Sequence, residues 1–225
     1  MKILVTDFDK TFFTEEYEQN IELVNKFISE GNIFIIATGR PIYLLKPDID
    51  KYNINYNYLI CNDGAAIFDC EDKKIYEDNI DESDAKKIFY ELQNDLNLEK
   101  VFIDTARDFS IDTNDTFNGI VALPIDRNKA YSTINYLCNK YPSIQGYLSH
   151  KWINILTKTA SKGQAIKLLA NMNNWNTSEI ITVGDNKNDL SMSHDFDSYA
   201  IKGDTELMKN SKHTVIDFKK MMEKI

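Results

Sequence analysis

Four short apolar runs in this chain each end in a dense polar cluster, and this repeated pairing constrains the fold more than any other feature. Ile3-Leu4-Val5 leads to Asp7 and Asp9, and Ile35-Ile36-Ala37 leads to Thr38, Gly39 and Arg40. Leu59-Ile60-Cys61 leads to Asn62, Asp63 and Gly64, and Ile181-Thr182-Val183 leads to Gly184, Asp185, Asn188 and Asp189. Runs this short and this uniformly apolar suit strands covered on both faces. Helical patterns separate them. Ile21, Val24, Phe27 and Ile28 share one face over 18–30, with Gly31 as the stop, and Pro41 stands where a second helix can begin. Strand, helix, strand, helix, strand predicts a parallel sheet with helices on both sides. In such a sheet the C-terminal strand ends share one edge, so the four clusters converge on one crevice.

The middle of the chain reads differently. A helix is expected over 82–95 with Ser83 as its cap, then strands near 100–105, 109–113 and 118–124, a helix near 127–140, and strands near 144–149 and 152–157. Consecutive strands bracketed by helices suggest a small α+β unit with an antiparallel sheet. After Lys162 the first pattern returns: a helix carrying Ala165, Ile166, Leu168 and Leu169, a strand at 180–183, and short strands and helices to the end. The expected organisation is an α/β core from residues 1–72 and 159–225, with an α+β insert at 73–158.

Composition narrows the function. The chain of 225 residues carries 26 Lys and Arg against 35 Asp and Glu, a net charge of −9, which disfavours nucleic acid and anionic membranes as partners. No apolar run approaches the ~18 residues of a membrane span. The three cysteines, Cys61, Cys70 and Cys138, have no zinc spacing and suggest reduced thiols in a cytoplasm. The N-terminal residues hold no apolar signal core, which agrees with a cytoplasmic location.

The crevice would hold Asp7, Asp9, Asp185 and Asp189, four carboxylates that repel unless a cation relieves them. A hard divalent ion such as Mg²⁺ fits that set, with Lys162 as a second source of positive charge. Asp7 and Asp9 point the same way along a strand, and a bend after the strand lets one attack while the other moves a proton. Attack on phosphorus gives an aspartyl-phosphate; Thr38 and nearby backbone N–H groups can hold phosphate oxygens, and Lys162 can add charge to the transferring group. Paired carboxylates also serve glycosidases, but those need neither a metal cluster nor a lysine. Asn62 has a second reading as an Asx-turn residue, and Arg40 is read as pairing with a carboxylate. His150, His194 and His213 are read as structural, Tyr147 and Trp152 as cap packing, and Lys151 and Arg107 as candidate cap contacts to substrate.

These residues carry a resemblance. Asp7-Phe8-Asp9-Lys10-Thr11 resembles the first motif of the haloacid dehalogenase-like superfamily, and Thr38 in Ala37-Thr38-Gly39-Arg40 its second. Lys162 in Ser161-Lys162-Gly163 resembles the third, and Gly184-Asp185-Asn186-Lys187-Asn188-Asp189 the fourth. Asn62-Asp63-Gly64-Ala65 is similar to a segment common in Cof-like sugar phosphatases, and an α+β insert between the second and third motifs resembles subclass IIB. The resemblance implies a Rossmann-like doubly wound core with a cap, and a Mg²⁺-dependent phosphatase acting on small phosphomonoesters such as sugar phosphates. It implies Asp7 as nucleophile and Asp9 as acid and base. Mg²⁺ would be held by Asp7, the backbone carbonyl of Asp9, and Asp185, with Asp189 and Asn188 supporting that shell. Phosphate would lie on Thr38, Gly39 and Lys162, with Asn62 and Arg40 as supporting residues. A phosphomannomutase-like phosphotransferase, or a non-catalytic binding protein with a relict site, are the alternatives. The chain departs from the pattern at Lys10, where many members have Gly, at Phe12-Phe13, and at Ile201-Lys202-Gly203-Asp204, where many carry Met-x-Asn-Ala.

Overall fold

The computed structural model describes residues 1–149 and 151–225. The expected strands form where the apolar runs lie: β1 (Ile3–Thr6), β2 (Ile33–Ala37) and β3 (Tyr58–Cys61), separated by helices α1 (Tyr17–Ser29) and α2 (Ile42–Tyr52). A hairpin of β4 (Ala66–Asp69) and β5 (Lys74–Glu77) follows. Then come α3 (Glu82–Gln93), β6 (Leu98–Asp104), β7 (Phe109–Ser110), β8 (Gly119–Pro124), α4 (Arg127–Lys140), β9 (Ile144–Ser149) and β10 (Trp152–Thr157). The chain closes with α5 (Lys162–Asn173), β11 (Ile180–Gly184), β12 (Asp197–Ile201), α6 (Thr205–Asn210), β13 (His213–Val215) and α7 (Phe218–Met222).

The large sheet runs β13-β12-β11-β1-β2-β3-β4-β5, parallel from β13 to β3, with the last two strands antiparallel. Alternation along β1 and β2 explains the two covered faces. Leu4, Phe34 and Ile36 pack toward Val24, Phe27 and Leu45 on one side. Ile3, Val5, Ile35 and Ala37 pack toward Ala165, Ile166 and Leu169 on the other. After β1 the chain runs outward through β2 and β3, and after β11 it runs the opposite way through β12 and β13. The order therefore reverses between β1 and β11, the place where such sheets bind ligands.

The second sheet is antiparallel, β7-β6-β8-β10-β9, and α3 and α4 cover it through Ile88, Phe89, Ile134 and Leu137. This is a Rossmann-like core with an α+β cap. Two sequence expectations change. The expected insert includes residues 74–77, but they form the edge strand of the large sheet; being half-buried and polar, Lys74-Ile75-Tyr76-Glu77 has no apolar run to mark it. The cap of α3 is Asp81, whose carboxylate accepts from the Ser83 and Asp84 N–H groups, not Ser83. Among the described residues no helix is long and apolar enough to cross a membrane.

Gly64 shows how tightly the core is joined behind β3. Its φ is +104°, and a Cβ there would lie 2.2 Å from the Ser161 carbonyl oxygen. Gly64→Ala should cost about 2–4 kcal/mol in urea unfolding, since strain and a backbone clash add; a loss under half that would mean the turn relaxes freely.

Candidate active site

Asp7 follows β1 directly, and its N–H donates to the Val183 carbonyl on β11 at 2.9 Å, which fixes it at the point where the sheet order reverses. Lys162 opens α5 and is completely buried, with Nζ 2.6 Å from both Asp7 Oδ1 and Asp189 Oδ1. A buried ammonium is tolerable only when paired in this way. Asp189 uses its other oxygen to accept from the Asp185 and Asn186 N–H groups at 3.0 and 3.1 Å, closing a capping box on the turn Lys187–Met192. Gly184 makes room for that carboxylate: a Cβ would lie 2.4 Å from Asp189 Oδ2. The Thr11 hydroxyl donates to Asp185 Oδ1 at 2.8 Å, so the first and fourth polar clusters are tied by side chains.

The electrostatics follow from burial. Desolvation, with help from Asp189 and Asp185 and against the pull of Lys162, pushes Asp7 up to about 8. Desolvation also raises Asp185, opposed by Thr11. Burial works to lower Lys162, but Asp189 and Asp7 outweigh it and hold the ammonium above its ordinary range. Oxygens of Asp7, Asp185 and Asp189 lie within 4.8 Å of one another. One ammonium stands against three carboxylates, and all the offered atoms are hard oxygens. A small hard divalent cation such as Mg²⁺ fits this donor set better than zinc, whose sites favour Cys and His. Asp189 has both oxygens engaged already, so Asp7 and Asp185 are the better ligands.

Thr38 and Gly39 follow β2 on the same edge. Thr38 is buried, its N–H donates to the Ile60 carbonyl at 2.8 Å, and its Oγ1 accepts from the Arg40 N–H at 3.1 Å. Arg40 pairs with carboxylates, as expected. Its Nε donates to Asp9 Oδ2 at 2.8 Å, Nη2 donates to Asp9 Oδ1, and Nη1 reaches Asp48 Oδ2 at 2.8 Å. The Asp9 carboxylate thus stands outside the Asp7–Asp185–Asp189 group. Lys10, beside it, has φ +64°, the left-handed conformation that Gly adopts most easily and that Lys takes here at some cost.

A cavity of about 790 Å³ lies over these groups, between the core edge and the cap. Asp7, Asp9, Lys10, Thr38, Gly39, Arg40, Asn62, Asp185 and Asn188 line its floor. Asp104, Phe109, Tyr147, Trp152 and Asn154 line the cap side. The sequence assigned Tyr147 and Trp152 to cap packing; Trp152 does pack on Phe102, yet both rings face the cavity because β9 and β10 present that side of the cap sheet to the core. Arg107 moves the other way. It stacks over Phe68 and donates to the Asp72 carbonyl at 2.8 Å, joining cap to core outside the cavity. Lys151 is not among the cavity-lining residues. His213 pairs with Asp197 at the surface, and His150 lies outside the described residues.

Asn62 is not an isolated turn residue. Its Nδ2 donates to Asp104 Oδ1 at 3.2 Å and Asn118 Oδ1 at 2.6 Å, both on the cap side. Burial raises Asp104 to about 6, opposed by the Ala106 N–H and the Asn62 and Tyr43 side chains. Asn188 donates to Asp63 Oδ1 at 3.2 Å. Asp63, Asp104 and Tyr147 are the participants that sequence reasoning missed as site residues. Only Asp63 carried a signal, its place in a strand-end cluster.

The chain is similar to several known proteins and solved structures. A protein of Mycoplasma capricolum is 28% identical over 96% of this chain and 97% of its own. A Buchnera aphidicola protein named "Putative phosphatase" is 25% identical over 84% of this chain and 82% of its own. Bacillus subtilis YxeH, with the same kind of name, is 24% identical over 85% and 83%. Among solved structures, a Thermotoga maritima protein superposes with a TM-score of 0.82 at 18% identity, covering 100% of this chain and 97% of that one. The subclass IIB sugar phosphatase BT4131 superposes with a TM-score of 0.77 at 15% identity, covering 98% and 95%. The sequence model of one family matches residues 4–127 and 93–221, nearly the whole chain. The chain belongs to the haloacid dehalogenase-like hydrolases.

Proposed function

We propose that this hydrolase is a Mg²⁺-dependent phosphatase for small phosphomonoesters, sugar phosphates foremost, working through an aspartyl-phosphate on Asp7. The observation that carries the reading is the buried Asp7–Lys162–Asp189 contact, with Asp185 beside it, at the floor of a cavity large enough for a phosphorylated metabolite. The phosphatase names of relatives and the sugar phosphatase among the structural neighbours point the same way. The core would comprise the two chain ends and the cap the segment between them, with the crossings after β5 and before α5.

Asp7 and Asp185, with the Asp9 backbone carbonyl, would hold Mg²⁺; when bound, the ion lowers the charge between phosphate and carboxylates. Thr38, Gly39 and Lys162 bind phosphate oxygens, and Lys162 keeps its charge at every working pH because two carboxylates face it. An Asp7 oxygen attacks phosphorus as the ester P–O bond breaks, and the leaving oxygen takes a proton from Asp9. Water then attacks the aspartyl-phosphate, Asp9 takes its proton, and the bond to Asp7 breaks to give inorganic phosphate. Both Asp9 oxygens accept from Arg40 in this conformation, so Asp9 must turn from the guanidinium and take up a proton from solvent before it can serve as the acid.

A panel of phosphate esters assayed with Mg²⁺ and with EDTA tests the function. The expected result is phosphate release from some esters, falling at least about 100-fold with EDTA. Transfer to a hexose phosphate that outpaces phosphate release would instead favour the phosphotransferase reading.

A further inference from the structure

Residues 62–64 form a junction that the mechanism above does not use. Asn62, Asp63 and Gly64 all have positive φ, 50°, 48° and 104°. Two non-glycine residues in succession in this region survive only where the surroundings over-determine them. Here they do. The Asn62 N–H donates to the Arg40 carbonyl at 3.2 Å, and the Asp63 N–H donates to the Thr38 carbonyl at 3.0 Å, so the turn is laced to the phosphate-binding loop.

The Asp63 side chain then reaches three further elements. Oδ2 accepts from the Tyr147 hydroxyl on cap strand β9. Oδ1 accepts from Asn188 Nδ2 at 3.2 Å, on the loop that carries Asp185 and Asp189. Its carboxylate also abuts Gly39, where a Cβ would lie 3.1 Å from Oδ2. Asp63 is buried, and burial beside its charge holds the Tyr147 hydroxyl protonated as a donor. A buried carboxylate that loses a donor is costly, so loss of the Tyr147 contact must be felt by the remaining partners.

We propose that Asp63 is a positioning residue that makes assembly of the reaction site conditional on cap docking. With Tyr147 in place, Asp63 holds Asn188 and the Gly39 loop in register with Lys162 and Asp185. When the cap withdraws, Asp63 loses its Tyr147 donor, and the restraint on the Asn188 loop weakens. The site is then complete only when the cap excludes water, which limits wasteful reaction in the open form. This rests on the phosphatase reading for its kinetic consequence, but not for the coupling itself.

The test uses Tyr147→Phe, Asp63→Asn, the double variant, and Tyr136→Phe as a control that removes a cap hydroxyl bonded to Glu91 instead. With p-nitrophenyl phosphate and Mg²⁺, Tyr147→Phe should lower kcat about tenfold with KM within about twofold, and Tyr136→Phe should match wild type. The double variant should be no slower than Asp63→Asn alone, since both act through one carboxylate. Hydrogen exchange is read in parallel. In Tyr147→Phe the amides of Asp185 and Asn186 should exchange about tenfold faster, although neither touches residue 147. Wild-type exchange at those amides overturns the proposal, even if kcat falls, because Tyr147 would then act directly on substrate. Additive kinetic losses overturn it too. A wild-type protein that hydrolyses no ester defeats the phosphatase reading instead, and the exchange result still decides the coupling.

Discussion

Lys162→Met is expected to destabilise the protein by about 3–5 kcal/mol near neutral pH, because it leaves the Asp189 carboxylate, and the Asp7 carboxyl beside it, buried without their cation. The packing loss is small, since Met nearly matches the Lys stem in volume. The electrostatic loss is large: Asp7 and Asp189 each contact Nζ at 2.6 Å, and Lys162 is completely buried. Lowering the pH to about 5 should recover part of the loss, since an unpaired buried carboxylate binds a proton. Urea unfolding of wild type and variant at both pH values checks this. A loss below about 1 kcal/mol, or one independent of pH, would mean that Lys162 is not the counter-charge of the site.

Asp7→Asn should have the opposite effect on stability and a larger effect on turnover. The carboxyl of Asp7 lies at about 8 in the folded protein against an ordinary 3.8. The fold therefore favours the protonated form, and stability is lost as pH rises from the ordinary value through about 8. Asn cannot ionise, so metal-free Asp7→Asn should exceed wild type by on the order of 1–3 kcal/mol at pH near 8, with no gain near pH 4. Mg²⁺ should narrow the gap by stabilising wild type. Phosphate release should fall at least about 1000-fold, since a carboxamide does not attack phosphorus. An Asn variant less stable than wild type at high pH would contradict the desolvated, repelled carboxylate described here.

Much of this arrangement was legible in the sequence for a physical reason. Strands covered on both faces must be apolar throughout, so Ile3-Leu4-Val5 and Ile180-Ile181-Thr182-Val183 stand out, and their polar ends name the ligand edge. Asp7, Asp185, Asp189 and Lys162 come together as the clusters implied, from positions far apart in the chain. The edge strand β5 was not legible, because it is only half-buried and carries no apolar run. The cap was legible as α+β from its periodicities, but not its contacts. Tyr147 reaches Asp63 across 84 positions and Asn62 reaches Asn118 across 56, and no local spacing encodes such pairs. Arg40 was readable as a carboxylate partner but not as the group that engages both oxygens of Asp9. That detail depends on α2 bringing Asp48 against the same guanidinium.

The most direct test of the central claim is to look for the covalent intermediate. Asp9→Asn should slow release of phosphate from Asp7 more than its formation, because water then lacks its base. That variant, mixed with Mg²⁺ and a phosphate ester that wild type hydrolyses, is quenched in acid and its peptides are analysed by mass spectrometry. The account predicts a phosphoryl group on the peptide containing Asp7, absent from an Asp7→Asn/Asp9→Asn control. Turnover by wild type with no phosphoryl group on Asp7 in any quenched sample, together with inversion of configuration at phosphorus as direct attack by water requires, would contradict it.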